Sequence, residues 1–198
     1  MVLNQQLKID ILPLKDMNLQ KGVYHARLTR EQINPDVFDL LAQHQLKIAF
    51  AEIFTLKPYQ MASNAHIDGS NIVIQQPWRS RCKLNWTYSN AEKSNRWYKI
   101  TNDEALEALK QAQVSIIKRT EVNSPYLYIP FSICEEIFAA SPHEWNLFDA
   151  GTPHAGFNDC PDWRWNISFT LVDLYSKEIG ANAWLTLDEV QERMVSYV

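Results

Sequence analysis

Apolar and polar positions alternate along much of this chain, and the alternation predicts strands. Residues 7–14 alternate apolar and polar through Leu7, Lys8, Ile9 and Asp10 and end at Pro13, the pattern of a first strand. Asn34-Pro35 predicts the start of a short helix carrying Val37, Phe38, Leu40 and Leu41 on one face. LKIAFAEIFTL, residues 46–56, predicts a strong strand, and KPYQMASNAHIDGS reads as loop up to its histidine. Beyond Gly69 strands dominate, at residues 71–74, 82–88 and 96–100. DEALEALKQA, residues 103–112, predicts a helix with Asn102 or Thr101 as N-cap. Short strands follow at residues 126–129, 146–149, 154–157 and 164–171. Thr186-Leu187-Asp188-Glu189 fits the S/T-x-x-E capping box, so a last helix should run from about Leu187 toward Met194.

Many short strands separated by turn signals, with helices at both ends, give a mainly β fold class with flanking helices: a β-sandwich or jelly roll. A generic α+β domain is the runner-up. With 5 glycines and neither GxGxxG nor GxxxxGK[ST], nucleotide-binding α/β folds are excluded. No repeat or low-complexity linker divides the 198 residues, so a single domain is expected over 1–198.

Composition narrows the function classes. A hydrophobic share of 46% and a charged share of 21% describe an ordinary globular chain. The net charge of −4 argues against sequence-independent binding of nucleic acid. Arg79, Arg81 and Lys83 form a basic cluster, with Arg96 and Lys99 beyond it; a solvated loop or edge strand accounts for it at least as well as an anionic substrate. Cys82, Cys134 and Cys160 are odd in number and widely spaced, which speaks against a disulfide scaffold and for a reducing compartment. The start MVLNQQLKIDIL lacks the basic region and apolar run of a secretory signal, and no stretch approaches the roughly 20 apolar residues of a membrane span. A cytoplasmic protein without membrane contact is expected.

The candidate chemistry lies in His66, Asp68, His154 and Arg164. In a strand, residues i and i+2 share a face, so His66 and Asp68 would aim an imidazole and a carboxylate at one point. Gly69 and Ser70 then let the chain turn away. His154, after Gly151-Thr152-Pro153, is the best third ligand, and two histidines with one carboxylate suit a non-haem Fe(II) with open positions. Arg164 offers a planar fork for a carboxylate. Parity puts Arg164, Asn166 and Ser168 on one face of the last strand and Trp165, Ile167 and Phe169 on the other. Asn85 and Thr87 oppose Leu84, Trp86 and Tyr88 in the same way, so two strands present polar faces to a cavity. Trp97 and Tyr98 read as core, and His25, His44 and His143 have no ligand-like spacing.

The HxD of His66-Ile67-Asp68, the distal His154 and Arg164 within RWNIS resemble the Fe(II)/2-oxoglutarate-dependent dioxygenase superfamily. KLNW after the HxD strand, Trp97-Tyr98, and NLFDAGTPH before the distal histidine add to the likeness, which spans roughly residues 60–171. It is strongest toward the short, uncharacterised viral and bacterial members. The resemblance implies a double-stranded β-helix, a jelly roll, with its core at roughly 46–171 and the N-terminal strand and helix and the C-terminal helix packed on it. It implies iron ligation by His66, Asp68 and His154, and Arg164 as partner of the 2-oxoglutarate C5 carboxylate. Asn85, Asn166 and Ser168 become further cosubstrate contacts. Fe(II), 2-oxoglutarate and O₂ are then the cofactors, and the reaction hydroxylates an unactivated C–H.

Departures from the family pattern are informative. Asn166 stands where many members have Ser or Thr two residues past the arginine, and its amide can still donate. Thr170 stands where the nucleic-acid demethylases carry a second arginine, which disfavours nucleic acid. Asp68 keeps the acid that halogenases lack. The expected substrate is a small molecule or a protein side chain; its identity and the oligomeric state are not encoded in these residues. Two alternatives remain open at this point: a non-catalytic jelly-roll binding or assembly protein with a relic or structural metal site, and a cupin-like metalloenzyme without 2-oxoglutarate.

Overall fold

The computed structural model describes residues 2–18, 25–68, 81–120, 126–180 and 183–197. The described chain is mainly β, with two antiparallel sheets and flanking helices. The larger sheet contains β1 (Asn4–Gln6), β2 (His25–Leu28), β3 (Leu46–Leu56), β5 (Cys82–Tyr88), β9 (Glu144–Asp149) and β11 (Arg164–Asp173), in the order β1-β9-β5-β11-β3-β2. The smaller contains β4 (Asn64–Asp68), β6 (Asn95–Ile100), β7 (Tyr126–Pro130), β8 (Cys134–Ala140) and β10 (His154–Gly156), in the order β7-β4-β10-β6-β8. From β3 to β6 the chain switches sheet at every strand, and it does so again from β8 to β11. Such switching leaves strands distant in sequence side by side.

The larger sheet is amphipathic across its thickness. On one face Leu84, Trp165, Ile167, Phe169 and Leu171 join the main core with α1 (Pro35–Gln43) and α3 (Leu187–Arg193). Val37, Leu40 and Leu41 come from α1, and Leu187 and Val190 from α3. On the other face a polar row crosses the sheet in register, Glu52 beside Ser168, Ser168 beside Asn85, Asn85 beside Asn146. That row faces the smaller sheet, whose apolar residues form a second cluster around Ile67, Leu127, Ile129 and Phe157. Among the described residues no helix is long and apolar enough to cross a membrane.

The helices follow their caps. Asn34 accepts from the Asp36 amide at the start of α1. Asn102 accepts from the Ala105 amide ahead of α2 (Asp103–Thr120). Thr186 and Glu189 form the reciprocal box expected of α3. The helix expected at 103–112 is longer because no breaker interrupts QVSIIKRT after its first turns.

Several expectations change. Residues 7–14 do not form a strand: Leu7 and Ile9 are buried and Lys8 and Asp10 exposed, so the alternation holds over 7–10, but it lapses at Pro13 and Leu14, both buried, and among the described residues the segment's one β-bridge joins Leu14 to Ile33. Its amides at Leu7 and Lys8 bond to the Trp145 and Tyr197 carbonyls instead, and Pro13 has no N–H to offer. The actual first strand lies just before it, at β1. Strands β2 and β8 were not expected: β2 alternates, but over four residues only. Among the described residues both are edge strands, and in β8 the central residues Glu135 to Phe138 are exposed, so neither of its faces alternates. The strand expected at 71–74 and Arg79 of the basic cluster lie outside the described residues.

Candidate metal and anion site

The two sheets enclose a cavity of about 440 Å³, within the range of small-molecule sites. Every site residue expected from the sequence lines it: His66, Asp68, Asn85, His154, Arg164, Asn166 and Ser168. Strand pairing explains the meeting of the histidines. His154 opens β10 directly opposite His66 of β4, and their rings lie 4.3 Å apart. Asp68 is two residues along β4 from His66, on the same face. Its Oδ1 lies 3.7 Å from His66 Nε2 and 3.9 Å from His154 Nε2. One donor atom from each residue falls within 4.8 Å of the others.

The His154 ring is fixed in a ligating state. Its Nδ1 is 2.8 Å from the Thr152 carbonyl, which can only accept, so Nδ1 carries the proton and Nε2 holds a lone pair toward Asp68. The turn that supplies this carbonyl is itself pinned. Asp149 accepts from the Gly151 amide and the Thr152 hydroxyl, and its backbone carbonyl accepts from Trp97 Nε1. Phe148 presents its ring edge-on to His154 at 4.7 Å.

Burial pushes the His66 imidazole down to about 3, helped by His154 and opposed by Asp68. Burial lowers His154 as well, against the pull of Asp68. Burial alone would raise the Asp68 carboxyl, but Lys83, His154 and His66 together hold it at about 2. At neutral pH the three residues therefore present two neutral imidazoles and one carboxylate, the protonation states a divalent metal requires.

Arg164, at the start of β11, is buried, and burial draws its guanidinium down to about 10. Nη2 donates to Asn95 Oδ1 at 2.6 Å, whereas Nε is buried without a partner. Among the described residues no carboxylate pairs with it. Asn166 accepts from the Thr87 hydroxyl at 2.8 Å, which leaves its amide N–H groups for the cavity. Asn85 Oδ1 is buried and unbonded.

Lys83, Glu52 and Asn95 also belong to the cavity surroundings and were not expected there. Lys83 is buried, with Nζ 2.5 Å from Asp68 Oδ2 and 3.7 Å from Glu52 Oε2. Glu52 Oε1 lies 3.1 Å from His25 Nε2. Arg81 is buried too, donating to the Asp68 backbone carbonyl at 2.7 Å. The basic cluster is thus not a solvated face at Arg81 and Lys83. Parity carried the signal for Lys83, two residues before Asn85 on the same strand face. Glu52 had no such signal, because it sits inside an almost unbroken apolar run. The remaining histidines stand apart: His44 Nδ1 meets the Arg193 carbonyl, and His143 lies beside Tyr88.

No family model matches the chain, and no curated protein matches it. Among solved structures it is similar to EvdMO1, at 13% identity and TM-score 0.37, with 78% of this chain and 36% of that one covered. It is also similar to EvdO2 from Micromonospora carbonacea var. aurantiaca complexed with 2-oxoglutarate, at 14% identity and TM-score 0.33, covering 71% of this chain and 58% of that one. A third likeness is the apo form of the non-heme monooxygenase ThoJ, at 11% identity and TM-score 0.36, covering 83% and 70%. The chain spans 36% and 58% of the length of the first two. Likenesses this distant say nothing of activity, which the cavity's own side chains have to carry.

Proposed function

We propose that this chain is an Fe(II)- and 2-oxoglutarate-dependent oxygenase that hydroxylates a C–H bond of a small molecule or a protein side chain. The observation that carries it is a pair of opposite deficits in one cavity. Asp68 Oδ1 is a buried acceptor without a donor beside two imidazole nitrogens, and Arg164 is a buried cation without a carboxylate. Buried unpaired groups of this kind are costly and call for an explanation. A divalent cation would answer the first and an organic anion the second.

Charge favours one kind of anion. Among the described residues the buried acidic side chains are Glu52, Asp68 and Asp149 and the buried basic ones are Arg81, Lys83 and Arg164, a set equal in both signs. A dication alone would leave two charges uncompensated, and a monoanion would cancel only one. A dicarboxylate restores neutrality, which favours 2-oxoglutarate over the cupin-like alternative.

In this reading His66, Asp68 and His154 hold Fe(II), and Arg164, oriented by Asn95, holds the distal carboxylate. Asn85, Asn166 and Ser168 complete the polar wall around the cosubstrate. Bound Fe(II) with 2-oxoglutarate and O₂ supplies the oxidising power for C–H hydroxylation, releasing succinate and CO₂. The chain's part is to place the acid, keep both imidazoles unprotonated and limit water in the cavity. We read the two sheets as a jelly roll, with the core at roughly 46–171 inside a single domain. The free state of Cys82, Cys134 and Cys160 supports the reducing, cytoplasmic setting proposed with it.

The test is anaerobic addition of Fe(II) and 2-oxoglutarate, which should produce a visible charge-transfer band, followed by succinate release in air. Asp68→Ala should abolish the band. Arg164→Ala should weaken 2-oxoglutarate by about 2–5 kcal/mol, some 30-fold or more, while metal binding persists. No band and no succinate from the intact protein would leave a binding or assembly role.

A further inference from the structure

We propose that Lys83 is a positioning residue that holds Asp68 to ligation through one oxygen, Oδ1; the inference rests on the metal-binding reading above. Lys83 stands on β5 in the larger sheet, and Asp68 ends β4 in the smaller, so the ammonium reaches across the cavity between them. It meets Oδ2 at 2.5 Å. The other oxygen, Oδ1, has no hydrogen-bond partner and faces both histidine Nε2 atoms. The two oxygens of one carboxylate thus have separate occupations, one on Lys83 and one toward the histidines.

The arrangement is anchored on both sides. Glu52 Oε2 lies 3.7 Å from Nζ and is itself held by His25, while the Phe50 and Phe54 rings flank the ammonium at 5.9 and 5.8 Å. Arg81 Nη1 fixes the Asp68 backbone carbonyl, so the carboxylate can turn only about its own side-chain bonds. Without a donor on Oδ2, that turn would bring both oxygens onto a metal, since carboxylates bind divalent ions through one or two oxygens. Three protein ligands on an octahedral ion leave three positions, and a chelating acid needs two of them. A two-oxygen Asp68 would consume a position the cosubstrate or O₂ requires.

The test counts water on Mn(II) bound without cosubstrate, read by water-proton relaxation. Lys83→Met should lose about a third of the bound-water contribution, as Oδ2 takes one of three open positions. Because that change strands the Glu52 charge, the double variant Lys83→Met/Glu52→Gln removes cation and counter-charge together, which buried pairs tolerate better. It should show the same loss. Lys83→Arg keeps a donor on Oδ2 and should restore the wild-type count. A purely structural ion pair would alter stability but not the water count. Wild-type water counts in both Lys83→Met backgrounds would overturn the role of Lys83 and leave the metal reading standing. Failure of the unaltered protein to bind Mn(II) would instead overturn the metal reading itself.

Discussion

Arg164 shows how closely single atoms define this cavity. A Cβ on Gly156 would sit 3.0 Å from Arg164 Nη1, so the absence of a side chain on β10 makes room for the guanidinium. Gly156→Ala should therefore push Nη1 aside by a few tenths of an ångström and strain the fork's bond to Asn95. The expected result is a several-fold weaker 2-oxoglutarate affinity with unchanged Mn(II) affinity, measured by titration calorimetry; equal cosubstrate affinity would show that the guanidinium has slack. Asn95→Ala should act in the same direction through the lost 2.6 Å bond, at a cost of about 1.5–3 kcal/mol for a hydrogen bond to a charged group. At this scale the sequence was legible where chemistry recurs at fixed spacing: His66 and Asp68 share a face by strand parity, and Arg164, Asn166 and Ser168 do likewise. Lys83 was left open between a solvated face and an anion site because its neighbours Arg79 and Arg81 suggested a charged surface, although parity with Asn85 pointed inward. Asn95 carries no signal, since its role depends on where Arg164 lands from a strand far along the chain.

Elements were legible where one face is buried and the ends are capped. Strand β11 alternates Trp165, Ile167, Phe169 into the main core against Arg164, Asn166, Ser168 into the cavity, and its pattern locates it correctly. The two faces should separate in mutants. Ile167→Ala removes a fully buried side chain and should cost about 2–5 kcal/mol of stability, visible in denaturant unfolding, without touching the cavity wall directly. Ser168→Ala should leave stability nearly unchanged and act on cosubstrate binding. The capping box of α3 gives a parallel case at a helix end: Thr186→Ala should cost about 1 kcal/mol, with metal affinity unaltered. Strand β8 was illegible for the converse reason. An edge strand owes its existence to a partner's hydrogen bonds, and β8 pairs with β6 through a register shift at Trp97/Tyr98 while exposing its own centre. The segment at 7–14 fails the other way, with Leu7 and Ile9 buried but no ladder among the described residues, because burial records contact with the core and not strand pairing.

At the scale of the molecule, the cavity exists because chain-distant strands of two sheets face one another, and its charges should couple the whole fold to pH and to ligands. No sequence periodicity reports that His154 lies opposite His66 across a strand pair; its likeness to a motif named it, and strand pairing is what brings the two together. Without metal, the folded protein holds His66 at about 3 against an ordinary 6.5, and so binds fewer protons than the unfolded chain between those values. Stability should then be at its full value above pH 6.5 and fall as pH drops toward 3. Asp68, held at about 2 against 3.8, extends the same loss to lower pH. Thermal unfolding from pH 7.5 to 4 should show Tm falling on acidification, and saturating Zn(II) or Mn(II) should raise it at neutral pH. The balanced set of buried charges makes a sharper demand. A dication alone adds two positive charges to this buried set and a dianion alone adds two negative ones, so each should strengthen the other's binding by about 1–3 kcal/mol, and reciprocally. Glutarate separates this charge effect from chelation, because it carries both carboxylates of 2-oxoglutarate and lacks the keto oxygen. Calorimetry should find glutarate binding about 5- to 150-fold tighter in Mn(II)-loaded protein than in the metal-free form, and the coupling should shrink in Arg164→Ala. Equal affinity in the two forms would mean that the cavity does not balance a dication against a dianion, and the choice of a dicarboxylate cosubstrate would lose its physical basis.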